Sequence, residues 1–114
     1  MRKTTTKDVL ELIKRVVLEE AGKLGVRVER IILFGSRARG DYREDSDYDI
    51  LVVVSERLDW RVKRRLSLMI RRRLVRELGI PVDLVIVSLR YWEEYKDVPG
   101  TVLYPAEREG IVIA

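Results

Sequence analysis

The sequence predicts an α/β fold in which helices cover a small mixed sheet of three to four strands. Three observations carry that expectation. Segments with helical apolar spacing alternate with short apolar runs, the runs have strand length, and cap or turn residues separate them. Thr5-Thr6-Lys7-Asp8 reads as a capping box, because a hydroxyl and a carboxylate three residues on can satisfy orphan N–H groups. Val9, Leu10, Leu12, Ile13, Val16, Val17 and Ala21 then recur at helical spacing up to Leu24, and Gly22 or Gly25 supplies the stop. Arg30–Phe34 is a short apolar run ending at Gly35-Ser36, as a buried strand would. A polar loop over residues 40–46 leads to a second strand, Tyr48–Val54. Asp59 can cap a long helix to Leu78, with Gly79 and Pro81 as stop signals. Val82–Val87 makes a third strand, Ser88 caps a short helix through Tyr95, and Pro99-Gly100 breaks it. Thr101–Glu109 reads as a final helix, followed by Ile111–Ile113 as an apolar tail suited to an added edge strand.

A chain of 114 residues suits one compact domain, residues 1–114, with one hydrophobic core. With 46% hydrophobic and 37% charged residues it has a globular rather than a disordered composition. No apolar run approaches the roughly 20 residues that span a bilayer, so a cytoplasmic protein with no membrane partner is expected. Cys and His are both absent, which removes disulfides, thiolate and imidazole ligands, and imidazole bases. A bound metal would be held by oxygen, which favours Mg²⁺, Mn²⁺ or Ca²⁺ over Zn²⁺. Asn and Gln are also absent while Arg, Glu and Val abound, a pattern of proteins from hot environments. The net charge of +4 suits nucleic acid or an acidic partner. An Arg-rich thermophile surface yields the same excess without any ligand.

Three elements ask for a chemical reason. The first is Gly35-Ser36 at a strand-to-helix turn, followed by Arg37-Ala38-Arg39-Gly40. Glycine lets the backbone approach a ligand, the next N–H groups and the helix dipole attract phosphate, and Ser36, Arg37 and Arg39 can bind its oxygens. Alone, the pair reads as a plain tight turn. The second is Asp47-Tyr48-Asp49, whose carboxylates point to one face about 6.6 Å apart at roughly 3.3 Å per residue. Carboxylates so placed can share one cation or a pair held about 3.5–4 Å apart. Loop acids that stay in water are the bland alternative, but Asp49 runs straight into Ile50-Leu51-Val52-Val53-Val54. The third is Asp83, set between Val82 and Leu84 in an apolar strand. A desolvated acid there needs a partner, either an arginine or a metal shared with Asp47 and Asp49.

Together, Gly35-Ser36, ten residues, Asp47-x-Asp49 and a distant strand Asp83 resemble the DNA polymerase β-type nucleotidyltransferase superfamily. The run from Gly35 to Val53, GSRARGDYREDSDYDILVV, is most similar to the minimal nucleotidyltransferase (MNT) group, and length and element order agree along the whole chain. The resemblance implies a nucleotidyltransferase fold and in-line transfer of a nucleoside monophosphate, AMP from ATP, to a hydroxyl, with two Mg²⁺ ions. It implies that Gly35 and Ser36 hold the β- and γ-phosphates and that Asp47 and Asp49 bind both metals. Asp83 would bind the catalytic ion and help activate the hydroxyl. Ser46 would orient the aspartate pair by hydrogen bonding, Arg39 and Arg37 would reach phosphate, and Tyr48 would pack in the core.

The same resemblance suggests the acceptor. Larger members of the superfamily carry a further domain for it, whereas MNT proteins are commonly antitoxins paired with HEPN toxins, small helical ribonucleases. Some adenylylate a toxin tyrosine, the type VII mode, and some form a complex, so a homo- or hetero-oligomer is expected. The alternatives are neutralisation by binding alone and terminal nucleotidyl transfer to nucleic acid. In the helix after Asp59, Leu58, Val62, Leu66, Met69 and Ile70 form the expected core stripe. Arg61, Arg64, Arg65, Arg71 and Arg72 share another arc with Leu68 and Val75. That arc reads as a protein-binding face, a phosphate-tracking face, or a solvated face whose two apolar residues a neighbouring helix covers. Trp60, Tyr91, Trp92 and Tyr95 read as core or interface packing.

Overall fold

The computed structural model describes residues 6–79 and 81–114. The expected cap at Thr5 lies outside the described residues. Helix α1 (Thr6–Lys23) buries Val9, Ile13, Val16, Val17, Glu20 and Ala21 on one stripe. Gly25, at φ +68°, supplies the stop, while Gly22 lies within the helix. Strand β1 (Val28–Phe34) begins two residues earlier than the apolar run suggests. The four-residue α2 (Ser36–Arg39) follows, and β2 (Tyr48–Val54) enters after the polar loop. Helix α3 (Trp60–Leu78) starts on the Asp59 carboxylate, which accepts from the Arg61 N–H at 2.8 Å, and ends on left-handed Gly79. Strand β3 (Val82–Ser88), α4 (Leu89–Tyr95), α5 (Leu103–Glu109) and the two-residue β4 (Ile111–Val112) complete the order. Ser88 caps α4 as expected, accepting from the Tyr91 N–H.

The four strands form one mixed sheet in the order β3-β2-β1-β4. β1 is antiparallel to both β2 and β4, whereas β2 and β3 are parallel, joined by the α3 crossover. The period-2 pattern of the strands divides the core in two. Ile31, Leu33, Ile50, Val52, Leu84 and Ile86 pack against α1 and α3 on one face. Ile32, Phe34, Leu51 and Val53 pack with Trp92, Leu103 and Ala106 of α4 and α5 on the other. Every β2 residue but Asp49 is buried, as a central strand covered on both faces requires. None of the described helices is long and apolar enough to cross a membrane.

The α3 stripe runs deeper than expected: Leu66, Ile70 and Leu74 are its buried residues, with Leu58, Val62 and Met69 at the margins. Leu68 and Val75 are 48% and 41% exposed, so no neighbouring helix covers them. Trp92 joins the core, but Trp60 and Tyr91 do not.

Helices α1 and α3 are tied together by a charged contact. Glu20 is 3% exposed and accepts from Arg73 at 2.7 Å and Lys23 at 3.0 Å. Arg73 and then Lys23 hold its carboxyl below the usual glutamate range. Its depressed folded pKa means the contact stabilises the fold above the unfolded pKa and is lost as pH falls through the folded value. Glu20→Ala should cost about 1–2 kcal/mol, because the part-buried Arg73 guanidinium keeps only its exposed partner Glu19 at 2.9 Å. Lys23→Ala, at an exposed partner, should cost under about 1 kcal/mol. Urea denaturation of the two variants at neutral pH measures both, and the gap between wild type and Glu20→Ala should shrink in acid.

Candidate active site

The strand pairing brings the singled-out acids to one end of the sheet. Asp49 pairs in register with Asp83 across the parallel β2–β3 ladder, and with Phe34 across the antiparallel β1–β2 ladder. In-register residues of neighbouring strands project to the same face about 4.8 Å apart, here the face that α4 and α5 cover farther along. Asp47 lies in the loop two residues before Asp49, close enough for its charge to act on the Asp49 carboxyl. The Tyr48 N–H donates to the Pro81 carbonyl at 3.1 Å, which locks the starts of β2 and β3 side by side.

Gly35 closes the other flank. At φ +73° and ψ −159° it occupies a conformation that side chains disfavour. A β-carbon there would also collide with an Asp49 carboxylate oxygen. Glycine is therefore needed twice, once for the turn and once to give Asp49 its place. Helix α2 then bends away, with the N–H groups of Ala38 and Arg39 both donating to the Gly35 carbonyl. An initial helical turn leaves its first N–H groups without intrahelical acceptors, so those of Ser36 and Arg37 are available to an anion. Four residues make little dipole, and any phosphate would be held by these individual donors and the Ser36 hydroxyl.

Charge crowding is concentrated on Asp49. It is half-buried, whereas Asp47 and Asp83 are exposed. Burial, then the negative charges of Asp83 and Asp47, push its carboxyl above the usual aspartate range, and Arg39 opposes them. The desolvation expected for Asp83 is not found, because β3 lies at the sheet's edge and Asp83 faces water. Among the described residues no arginine pairs with it.

The remaining sequence candidates lie around this cluster in roles of their own. The Arg37 guanidinium stacks between the Tyr42 and Tyr48 rings at 4.4 and 4.3 Å. It donates to the Ser46 carbonyl at 3.1 and 3.0 Å and to the Glu44 carbonyl at 2.8 Å, clamping the loop that delivers Asp47. The Ser46 hydroxyl accepts from the Arg43 N–H at 2.8 Å, so it shapes the turn before the pair. Arg39 pairs with Asp41 at 3.4 Å and Glu109 at 3.3 Å and remains exposed beside the cluster. Tyr42 and Glu109 were not singled out from sequence. A second tyrosine six residues before Tyr48 was a signal for the first, whereas Glu109 comes from a helix 70 residues on from Arg39 and left none.

The donor set fits a hard divalent cation: carboxylates only, with burial and then neighbouring negative charge raising the pKa of Asp49. Among the described residues no three acidic side chains converge as a ready-made metal cage. An open set of one or two carboxylates is how Mg²⁺ is usually held when substrate phosphates complete its shell.

The chain belongs to the nucleotidyltransferase domain family, whose sequence model matches residues 10–106. It is 30% identical over 89 residues to a Methanocaldococcus jannaschii relative with the provisional name protein adenylyltransferase, covering 78% of this chain and 85% of that one. The fold is similar to a chain in the crystal structure of a toxin–antitoxin with AMP-PNP, with a TM-score of 0.57 and 24% identity, covering 89% and 72% of the two chains. It is also similar to one in the structure of a tri-AMPylated Shewanella oneidensis HEPN toxin in complex with an MNT antitoxin, with a TM-score of 0.52 and 20% identity, covering 92% and 71%. The mixed sheet with its flanking helices is thus a nucleotidyltransferase fold, and the chain is a transferase.

Gly35→Ala should lower stability by about 1–3 kcal/mol through the left-handed backbone alone, and displace the Asp49 carboxylate. Urea unfolding and binding of a fluorescent ATP analogue with Mg²⁺ check both effects. Unchanged binding would show that Asp49 does not depend on this seat.

Proposed function

We propose that this chain is an Mg²⁺-dependent protein adenylyltransferase that moves AMP from ATP to a tyrosine of a HEPN-type toxin, acting as a type VII-like antitoxin. One observation carries the reading: Asp49 and Asp83 stand in register beside Asp47, next to a turn whose glycine yields its side-chain space to Asp49. The similarity to a named protein adenylyltransferase supports the reaction class, and the fold neighbours in toxin–antitoxin complexes support the partner.

The Ser36 hydroxyl and the first N–H groups of α2 donate to the β- and γ-phosphate oxygens of ATP. Arg39 exchanges its exposed carboxylate partners for phosphate, which costs little because such pairs contribute under about 1 kcal/mol. Arg37 keeps the 40–46 loop in place so that Asp47 stays beside Asp49. Asp47, Asp49 and Asp83 would hold divalent cations, which would supply charge neutralisation at the α-phosphate and on the departing pyrophosphate. Asp83 orients the acceptor hydroxyl, and one of its carboxylate oxygens takes the proton. The hydroxyl oxygen bonds to the α-phosphorus as the bond from that phosphorus to the bridging oxygen breaks, and pyrophosphate leaves.

ATP labelled at the α-phosphorus, Mg²⁺ and the protein encoded next door test this directly. Label should appear on that neighbour and fall by at least about a hundredfold in Asp47→Ala or Asp49→Ala. Tight complex formation with no label transferred would favour neutralisation by binding. Label on RNA or DNA ends would favour a terminal nucleotidyltransferase.

A further inference from the structure

Strand β3 is a free edge of the sheet among the described residues, and Asp83 is its one charge in seven positions. Proteins commonly blunt such edges with charges, prolines or bulges, because unpaired backbone groups on an apolar strand recruit another strand. Here a groove of about 1270 Å³ follows the edge instead. Consecutive residues 84–88 line it although they point alternately to the two faces, so the groove runs along the strand's side rather than over one face. Trp60, 63% exposed, forms one wall, and Tyr91 and Val102, each 46% exposed, form the other. Arg57, Lys63 and Asp59 also line it, and the Asp59 carboxylate is engaged in capping α3.

The groove reaches Leu84, one residue from Asp83. Across the sheet the order is the Gly35–Ser36 turn after β1, Asp49 on β2, Asp83 on β3, then the free edge. With triphosphate at the β1 end of that row, the open side belongs to the acceptor.

We propose that the groove is the acceptor subsite: an extended segment of the partner protein adds to the sheet along β3, with its hydroxyl-bearing residue beside Asp83. This rests on the protein-adenylylating reading and deepens it by naming the acceptor's conformation and chemistry. Main-chain pairing to the edge supplies affinity, and alternate side chains supply selectivity. Apolar side chains of the segment lie between Trp60 on one side and Tyr91 and Val102 on the other, and acidic ones meet Arg57 and Lys63. A residue opposite Asp83 stands about 5 Å from it between Cα atoms, the normal spacing of paired strands. A nucleic-acid strand would leave both the apolar walls and the amide edge unused.

The probe is a short blocked peptide of alternating Val and Thr with one Tyr and a Glu at each end, added to the full chain without nucleotide. Hydrogen exchange should slow at backbone amides within residues 84–88. The double variant Trp60→Ala, Val102→Lys, which alters only exposed side chains, should weaken peptide binding about tenfold or more and leave binding of Mg²⁺ with an ATP analogue unchanged. No binding, or slowing confined to α3, would overturn the proposal. So would slowing of the same amides in the protein alone together with a dimer mass by sedimentation, which would place a second copy on the edge. Slowing at β3 with no AMP transferred to any tyrosine would keep the subsite and remove the transfer reading. Transfer unaffected by the double variant would keep the transfer reading and remove the subsite.

Discussion

Asp49 is held where a carboxylate is least comfortable, half-buried, flanked by two other acids, and pressed against a turn that only glycine can make. Much of the architecture is needed to maintain that position. The parallel β2–β3 ladder sets Asp83 level with Asp49 and requires the α3 crossover, which in turn needs its Asp59 cap and Gly79 stop. The antiparallel β1–β2 ladder brings Gly35 alongside. Two apolar layers, one under α1 and α3 and one under α4 and α5, keep β2 rigid at the centre. Burial and charge repulsion at one end of the sheet are offset by packing elsewhere.

Two of the nearby arginines divide the labour by environment. Arg37 is tied up by two aromatic rings and two carbonyls, and serves as a fixed clamp on the aspartate loop. Arg39 has only exposed carboxylate partners and lowers the Asp49 pKa from a distance. The planar guanidinium suits both tasks, stacking in one case and carrying a permanent charge in the other. Lysine would serve the first task poorly.

Much of this could be read from the chain before any coordinates. Asp49 was legible as a strand acid because it leads directly into the apolar run of β2, whose side chains alternate with period 2. Asp59, Gly79 and Ser88 marked helix ends through cap chemistry that is local in sequence. Long-range facts were not legible. Periodicity says which residues share a face but not which strand becomes an edge, so Asp83 was expected in a desolvated setting and is instead exposed. The clamp formed by Arg37, the pairing of Arg39 with Glu109 and the depth of Leu74 in the α3 stripe depend on partners that meet only after folding. Leu68 and Val75 stay uncovered because α1 packs on the other side of α3.

The proposed activity depends on a like-charge cluster that a divalent cation would relieve. Without the cation, the raised pKa of Asp49 means that folding favours its protonated form and that stability declines as pH rises through that value. Carboxyl-carbon NMR of the aspartates, titrated with pH in metal-free protein and again with saturating Mg²⁺ and a non-hydrolysable ATP analogue, observes this directly. Asp49 should titrate above its normal range without metal and move well below it with Mg²⁺ and nucleotide. Ordinary titration of Asp49 in both states, with no response to Mg²⁺, would contradict a metal-binding role for this cluster.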